Sequence, residues 1–392
     1  MPDIIDIRLR IHTSTAFIIA IELQKAYLLY SRKNKMEIYM LKTLSLLLLS
    51  MASVHAVDNG GLKISAAADM LYDQGINKSS TAKEKLEMRE AELTFYSPID
   101  HNFNGFISLA AHNVEGEHNF ELHEMYVENS SFIPRSTFKV GKFFLGVGRI
   151  NRVHRHDWYF TDTPLVNEAL FGEEAAFDSG VEYNYLLPTD AIFNLTLGVT
   201  VGDDFNHEHD HEEEEEGHDE ESEKAKYPTH YLRLSHFKEF STSKGMETAF
   251  NILRKKDAHG EEQTLLGLDF LLKDRVGKRN EFILQSEVWY RESEEEGTRT
   301  EMLGAYIFND YAVLQSSALG YRLDALKHLS SDNDQIDYGV TGQYTYNSSE
   351  FSKIRASLSH GFTKTKHATT NKDTKALLQV VFILGSHPAH VF

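Results

Sequence analysis

Residues 207–224 read HEHDHEEEEEGHDEESEK, with four histidines and eleven carboxylates and no apolar side chain among them. His207, His209 and His211 alternate with acids, so an extended backbone sets three imidazoles on one side. Neutral imidazole nitrogen and carboxylate oxygen are suitable zinc ligands, and His218 or a glutamate can complete a set of four. The plain reading of such a run is a solvated loop, because five consecutive glutamates favour neither strand nor core. Ordering a flexible tract around an ion opposes binding. The expectation is therefore weak, multi-occupancy capture of zinc or another divalent metal, with no cofactor required by the fold.

The elements on either side must hold this tract. Before it, Phe193, Leu195, Leu197, Val199 and Val201 fall on one face, and Asn194, Thr196, Gly198, Thr200 and Gly202 on the other. After it, Leu232 and Leu234 alternate with Tyr231, Arg233 and Ser235. A period of two is a strand pattern, so the tract sits at the tip of a hairpin. The same template divides the chain into about sixteen segments, from 61–74 through 136–148 to 374–386. Short turns (Asp100-His101-Asn102, Ile133-Pro134-Arg135, Pro188-Thr189-Asp190, Asn347-Ser348-Ser349) alternate with longer charged links at 75–84, 149–174, 205–227, 293–298 and 365–373. Pro98, Pro134 and Pro188 fall at short turns, and no proline is placed in mid-strand, where it would remove a ladder donor.

The chain's beginning reads differently. Met40-Leu41-Lys42, the leucine-rich run 44–49 and the small-residue site Val54-His55-Ala56 make a secretory signal whose apolar core is too short to span a bilayer. The expected organisation is a mis-called extension at 1–35, a cleaved signal peptide at 36–56, and one β domain at 57–392. Residues 1–56 carry seven Lys/Arg and four Asp/Glu, so their removal takes the net charge from −19 to −22. A chain so acidic is a poor partner for nucleic acid. It holds no cysteine, so an exported domain of this size depends on its sheet and core.

Two all-β architectures accommodate the pattern: a soluble sandwich or propeller, or an antiparallel transmembrane β-barrel with its apolar face to lipid and its polar face to water. The signal, the even strand number, the turn–loop rhythm and the tyrosine content favour the barrel. As architecture, the whole of 57–392 resembles a sixteen-stranded outer-membrane porin. GKFFLGVGRINRVHRHDWYFTDTP (141–164), ALGYRLDA (318–325) and the terminal LGSHPAHVF are similar to segments of a porin-like family with His-rich loops.

That resemblance implies residence in the outer membrane of a Gram-negative bacterium, surrounded by lipid, as a homotrimer. It also implies passive diffusion of small polar solutes or divalent cations through a lumen narrowed by an inward-folded third loop. The longest link, 149–174, falls in third place. It would bring Arg152, His154, Arg155, His156, Asp157, Asp162, Glu173 and Glu174 to the constriction, where opposed charges set up a transverse field. A rim loop with solvated charges is the alternative. Polar strand faces supply further lumen candidates, among them Glu90, Glu92, Glu124, Glu128, Arg233, Glu287, Arg322, Asp324 and Arg355, with acids in excess and cations therefore preferred. Two competing classes are a plug-less uptake barrel for metal chelates such as siderophores and an outer-membrane enzyme. No G-x-S-x-G motif supports the latter, and the chain is read as a non-enzyme.

Overall fold

The computed structural model describes residues 61–77, 85–114, 117–202, 227–256, 260–277, 279–295, 297–329, 335–365 and 371–385. The extension and signal peptide, the tract with His207, His209, His211 and His218, and the SHPAHVF tail lie outside them. The described chain forms sixteen strands. The first eight are β1 (Lys63–Gly75), β2 (Leu86–Pro98), β3 (Phe103–Val114), β4 (Glu117–Asn129), β5 (Ser136–Phe144), β6 (Phe177–Leu186), β7 (Ile192–Thr200) and β8 (Thr229–Ser241). The second eight are β9 (Lys244–Lys256), β10 (Glu262–Val276), β11 (Arg279–Glu295), β12 (Thr298–Leu314), β13 (Ser317–His328), β14 (Ile336–Ser349), β15 (Ser352–Lys364) and β16 (Asn371–Gly385). Each pairs antiparallel with its sequence neighbours, and β1 pairs with β16, so the sheet closes into a barrel. Closure leaves no unpaired edge. Ser65 lies opposite Gly385, which places the start of β1 and the end of β16 on one rim.

Alternation decides which way each side chain points. On β14, Val340, Tyr344 and Tyr346 are exposed outward, while Thr341, Gln343 and Thr345 are buried inside. On β15, Ile354 and Leu358 face out and Arg355 and Ser357 face in. No helix among the described residues is long and apolar enough to cross a membrane. The outward apolar band of the strands is what suits a bilayer.

Inside, the picture departs from an evenly polar lumen. Tyr231, Leu253, Leu265, Trp289, Met302, Tyr306, Phe308 and Leu326 point inward from β8 to β13 and are buried in one apolar cluster. β10 carries Leu266 and Leu268 outward but Leu265 and Leu271 inward, so the run LLGLDFLL is apolar on both faces except at the buried Asp269. A strand buried on both sides loses the need to alternate. What covers the inner face is the connection between β5 and β6. The sequence alternation predicts strand to residue 148, but pairing stops at Phe144, and residues 145–176 turn into the barrel. There they form two short 3-10 turns (Ile150–Arg152 and Arg155–Asp157) and one helix, α1 (Leu165–Phe171).

Candidate functional site

The inward connection is held at its neck by one buried amide. Asn151 Nδ2 donates to the carbonyls of Leu145 (2.9 Å) and Ala176 (3.1 Å), and the Ala176 N–H donates back to Asn151 Oδ1 at 2.6 Å. Entry also needs glycine. Gly148 has φ +67°, a left-handed conformation that disfavours any side chain. Its N–H donates to Asn251 Oδ1 on β9 (2.9 Å), and that of Ile150 to Glu287 Oε1 on β11 (3.0 Å).

From there the loop visits the wall in turn. Arg149 pairs with Glu247 on β9 at 3.1 Å, and Arg152 approaches the same carboxylate at 3.8 Å. His154 crosses to the β2–β4 side, with Nδ1 3.0 Å from Glu92 and Nε2 3.1 Å from Glu124. His156 lies 3.7 Å from Glu90, 3.5 Å from Glu92 and 3.2 Å from Asp157. Arg355 on β15 donates to the carbonyls of Trp158 and Phe160, and Arg322 on β13 pairs with Asp162 at 3.1 Å. α1 sits against β12 and β13, with Val166 beside Gly304 and Leu326. Glu174 ends the circuit between Arg155 (3.2 Å), His112 (2.9 Å) and His123 (3.4 Å).

Seven of the eight loop residues read from the sequence thus meet charged partners within the barrel. Glu173 does not; its side chain is exposed, and only its carbonyl is engaged, by the Thr163 hydroxyl. The apolar side of the same loop packs as a core. Phe160 lies edge-on to Tyr306 and Phe308, and Phe171 edge-on to Trp289. α1 was not anticipated from the sequence, although Pro164 before it and Gly172 after it, at φ +81°, are the punctuation of a short helix.

Charge in the loop is organised by burial against near neighbours. Burial works against an imidazolium at His154, yet the Glu92 and Glu124 carboxylates hold its pKa well above the usual histidine value. Burial likewise opposes charge on His156, but Asp157, Glu90 and Glu92 lift it to about 10. Glu174 is raised by burial and lowered more by Arg155 and the two histidines, to about 2. His154 and His156 are thus held as cations between acids, and Glu174 as an anion beside Arg155.

His112 and His123 escaped the sequence reading for different reasons. His112 follows the inward series Phe106, Ser108 and Ala110 on β3 and was legible. His123 is out of phase. The β3–β4 register passes from Ser108↔Glu124 to Leu109↔Leu122, leaving His123 as the extra residue of a β-bulge. A bulge turns two consecutive side chains to one face, and both His123 and Glu124 are buried inside. Strict alternation would send one of them to lipid.

No family model matches the chain. A protein of Aquifex aeolicus, itself uncharacterised, is 25% identical over 340 residues, covering 79% of this chain and 71% of its own. Among solved structures, the outer-membrane channel DcaP of Acinetobacter baumannii superposes with a TM-score of 0.57 at 12% identity, covering 83% of this chain and 97% of its own. The outer-membrane protein OmpT of Vibrio cholerae, in its trimer form, gives 0.56 at 11% identity, with 83% and 100% covered. The anion-selective porin of Comamonas acidovorans gives 0.54 at 9%, also with 83% and 100% covered. The chain has the closed sixteen-stranded fold of the outer-membrane porins.

Proposed function

We propose that this barrel is a passive channel of the Gram-negative outer membrane, admitting small polar solutes and preferring cations. It is read as a channel and not as an enzyme. The observation that supports it most is the loop of residues 145–176, which spans the interior from β9 to β2 and β15. A loop so placed narrows any route through the barrel and brings Arg152, His154, Arg155, His156, Asp157, Asp162 and Glu174 to the narrowing, with Glu173 exposed at its edge. Among the described residues, ten buried carboxylates face six buried Lys/Arg and the protonated His156, an excess that favours cations. The likeness to a trimeric outer-membrane protein supports a homotrimer.

On the same reading, His207, His209, His211 and His218 collect zinc. The test is single-channel recording of refolded protein in planar bilayers, with reversal potentials in a potassium chloride gradient. Discrete, ohmic, cation-selective openings are expected. Absence of conductance, or an anion-selective reversal potential, refutes the respective part.

A further inference from the structure

We propose that Glu90, Glu92, His123 and His154 form a luminal site for one divalent transition-metal ion of the zinc class, independent of the histidine tract. Their donor atoms all lie within 4.8 Å of one another. They arrive from three directions: two positions of one face of β2, the bulge of β4, and the inward loop. Zinc bonds of about 2.0–2.2 Å to nitrogen and oxygen set tetrahedral edges near ~3.4 Å, so side-chain adjustments of about 1 Å complete the set.

The second observation is unspent hydrogen-bonding capacity. Both oxygens of Glu90, Oε2 of Glu92, Nδ1 of His123 and Nδ1 of His154 are buried without a hydrogen bond. His154 Nδ1 and Glu92 Oε2 stand 3.0 Å apart but out of hydrogen-bond alignment. Glu90 is 2% exposed and His123 1%. Buried polar atoms without hydrogen bonds are destabilising, and these five belong to the four residues of one cluster, with the His156 ring 3.7 Å from Glu90 and 3.5 Å from Glu92.

The outer atoms of three of the four ligands, Glu90 excepted, are meanwhile occupied. Glu92 Oε1 accepts from Ser108 (2.7 Å) and Thr94 (2.8 Å), His154 Nε2 meets Glu124, and His123 Nε2 meets His112 at 2.7 Å. That is how metal ligands are oriented: one atom for the ion, the other fixed by an outer partner. Two imidazoles and two carboxylates suit zinc, cobalt or nickel, whereas calcium and magnesium select oxygen alone.

The experiment uses the full chain, refolded in detergent, with the tract silenced by H207A/H209A/H211A/H218A. Cobalt is titrated by its visible absorption and zinc by calorimetry. One ion per barrel is expected, with the intense absorption of four- or five-coordinate cobalt. Glu90→Gln and His123→Gln should each weaken it by at least about 10- to 100-fold, the loss that outer-partner changes alone produce. Glu90→Gln preserves shape, and heat-modifiable gel migration reports barrel closure, so E90Q decides if H123Q fails to fold. Loss of all stoichiometric binding in the tract-silenced protein, undiminished affinity in folded E90Q, or calcium binding as tight as zinc would each overturn the site. The channel reading fails separately, by absent conductance, while the cobalt spectrum persists.

Discussion

Gly148 of the loop faces Trp289 of β11 so closely that a Cβ would lie 2.9 Å from the indole and 2.8 Å from the Glu287 carboxylate. The loop leaves the wall at that point, and the contact explains the glycine at 148.

Gly148→Ala combines a clash with a left-handed φ and should destabilise the seated loop by roughly 1–3 kcal/mol. Gly172→Ala meets nothing within 4 Å, yet φ +81° with ψ −176° is essentially a glycine conformation, so backbone strain alone should cost it roughly 1–3 kcal/mol. Urea titrations followed by tryptophan fluorescence compare each with the unaltered chain; no loss at Gly148→Ala would mean the Trp289 contact is unimportant.

Phe160 is 1% exposed and is stacked over by the Arg322 guanidinium, 5.1 Å from the ring centroid. Phe160→Ala should cost about 3–5 kcal/mol of loop anchoring. Because the anchoring is internal, the barrel should still close while single-channel conductance rises and becomes noisier. An unchanged conductance with normal noise would show that the loop does not gate the route.

Arg233 on β8 lies between Glu247 (2.5 Å) and Asp269 (2.9 Å) and is 1% exposed. Arg233→Met leaves two buried carboxylates with less compensation, an expected loss of roughly 3–5 kcal/mol. The double change R233M/D269N should recover part of that loss. No recovery in the urea midpoint would place the effect in packing and not in charge.

Neutralising Asp162, Glu173 and Glu174 together should shift the reversal potential toward zero. Removing as many acids from 212–216 should do less, because screening over about 8–10 Å isolates exposed charge from the pore. Glu174 should dominate the triple change, being half-buried beside Arg155 and His112 while Glu173 is exposed.

A peptide of residues 205–226 should bind zinc in moderate salt and prefer it to calcium. Replacing its four histidines with alanine should remove most of the heat seen by calorimetry at neutral pH. An alanine peptide that titrates like the original would reduce the tract to a charged surface.

The wall was far more legible than its contents. Val340 against Thr341 and Ile354 against Arg355 obey a period of two because each strand separates an apolar outside from a polar inside. The same rule concealed His123, since a bulge advances the phase by one residue without any mark in composition. It also misled at Leu145 and Val147, which alternate like strand residues but are buried in the loop's own core. Alternation records that one face differs from the other; it is silent when both faces are apolar, as on β10. The loop's path depends on Gly148 meeting Asn251 and Ile150 meeting Glu287, each more than a hundred positions away, and no local pattern carries that.

The loop's anchors have a consequence for assembly. They lie on strands from β2 to β15, on both sides of the seam where β1 meets β16. An interior packed to the density around Trp158, Phe160 and Val166 does not admit a 32-residue segment after the wall has shut. The curving sheet must therefore wrap the loop as it forms. The loop then serves as the former over which the cylinder is rolled, and the seam closes only on a chain whose interior is already in place.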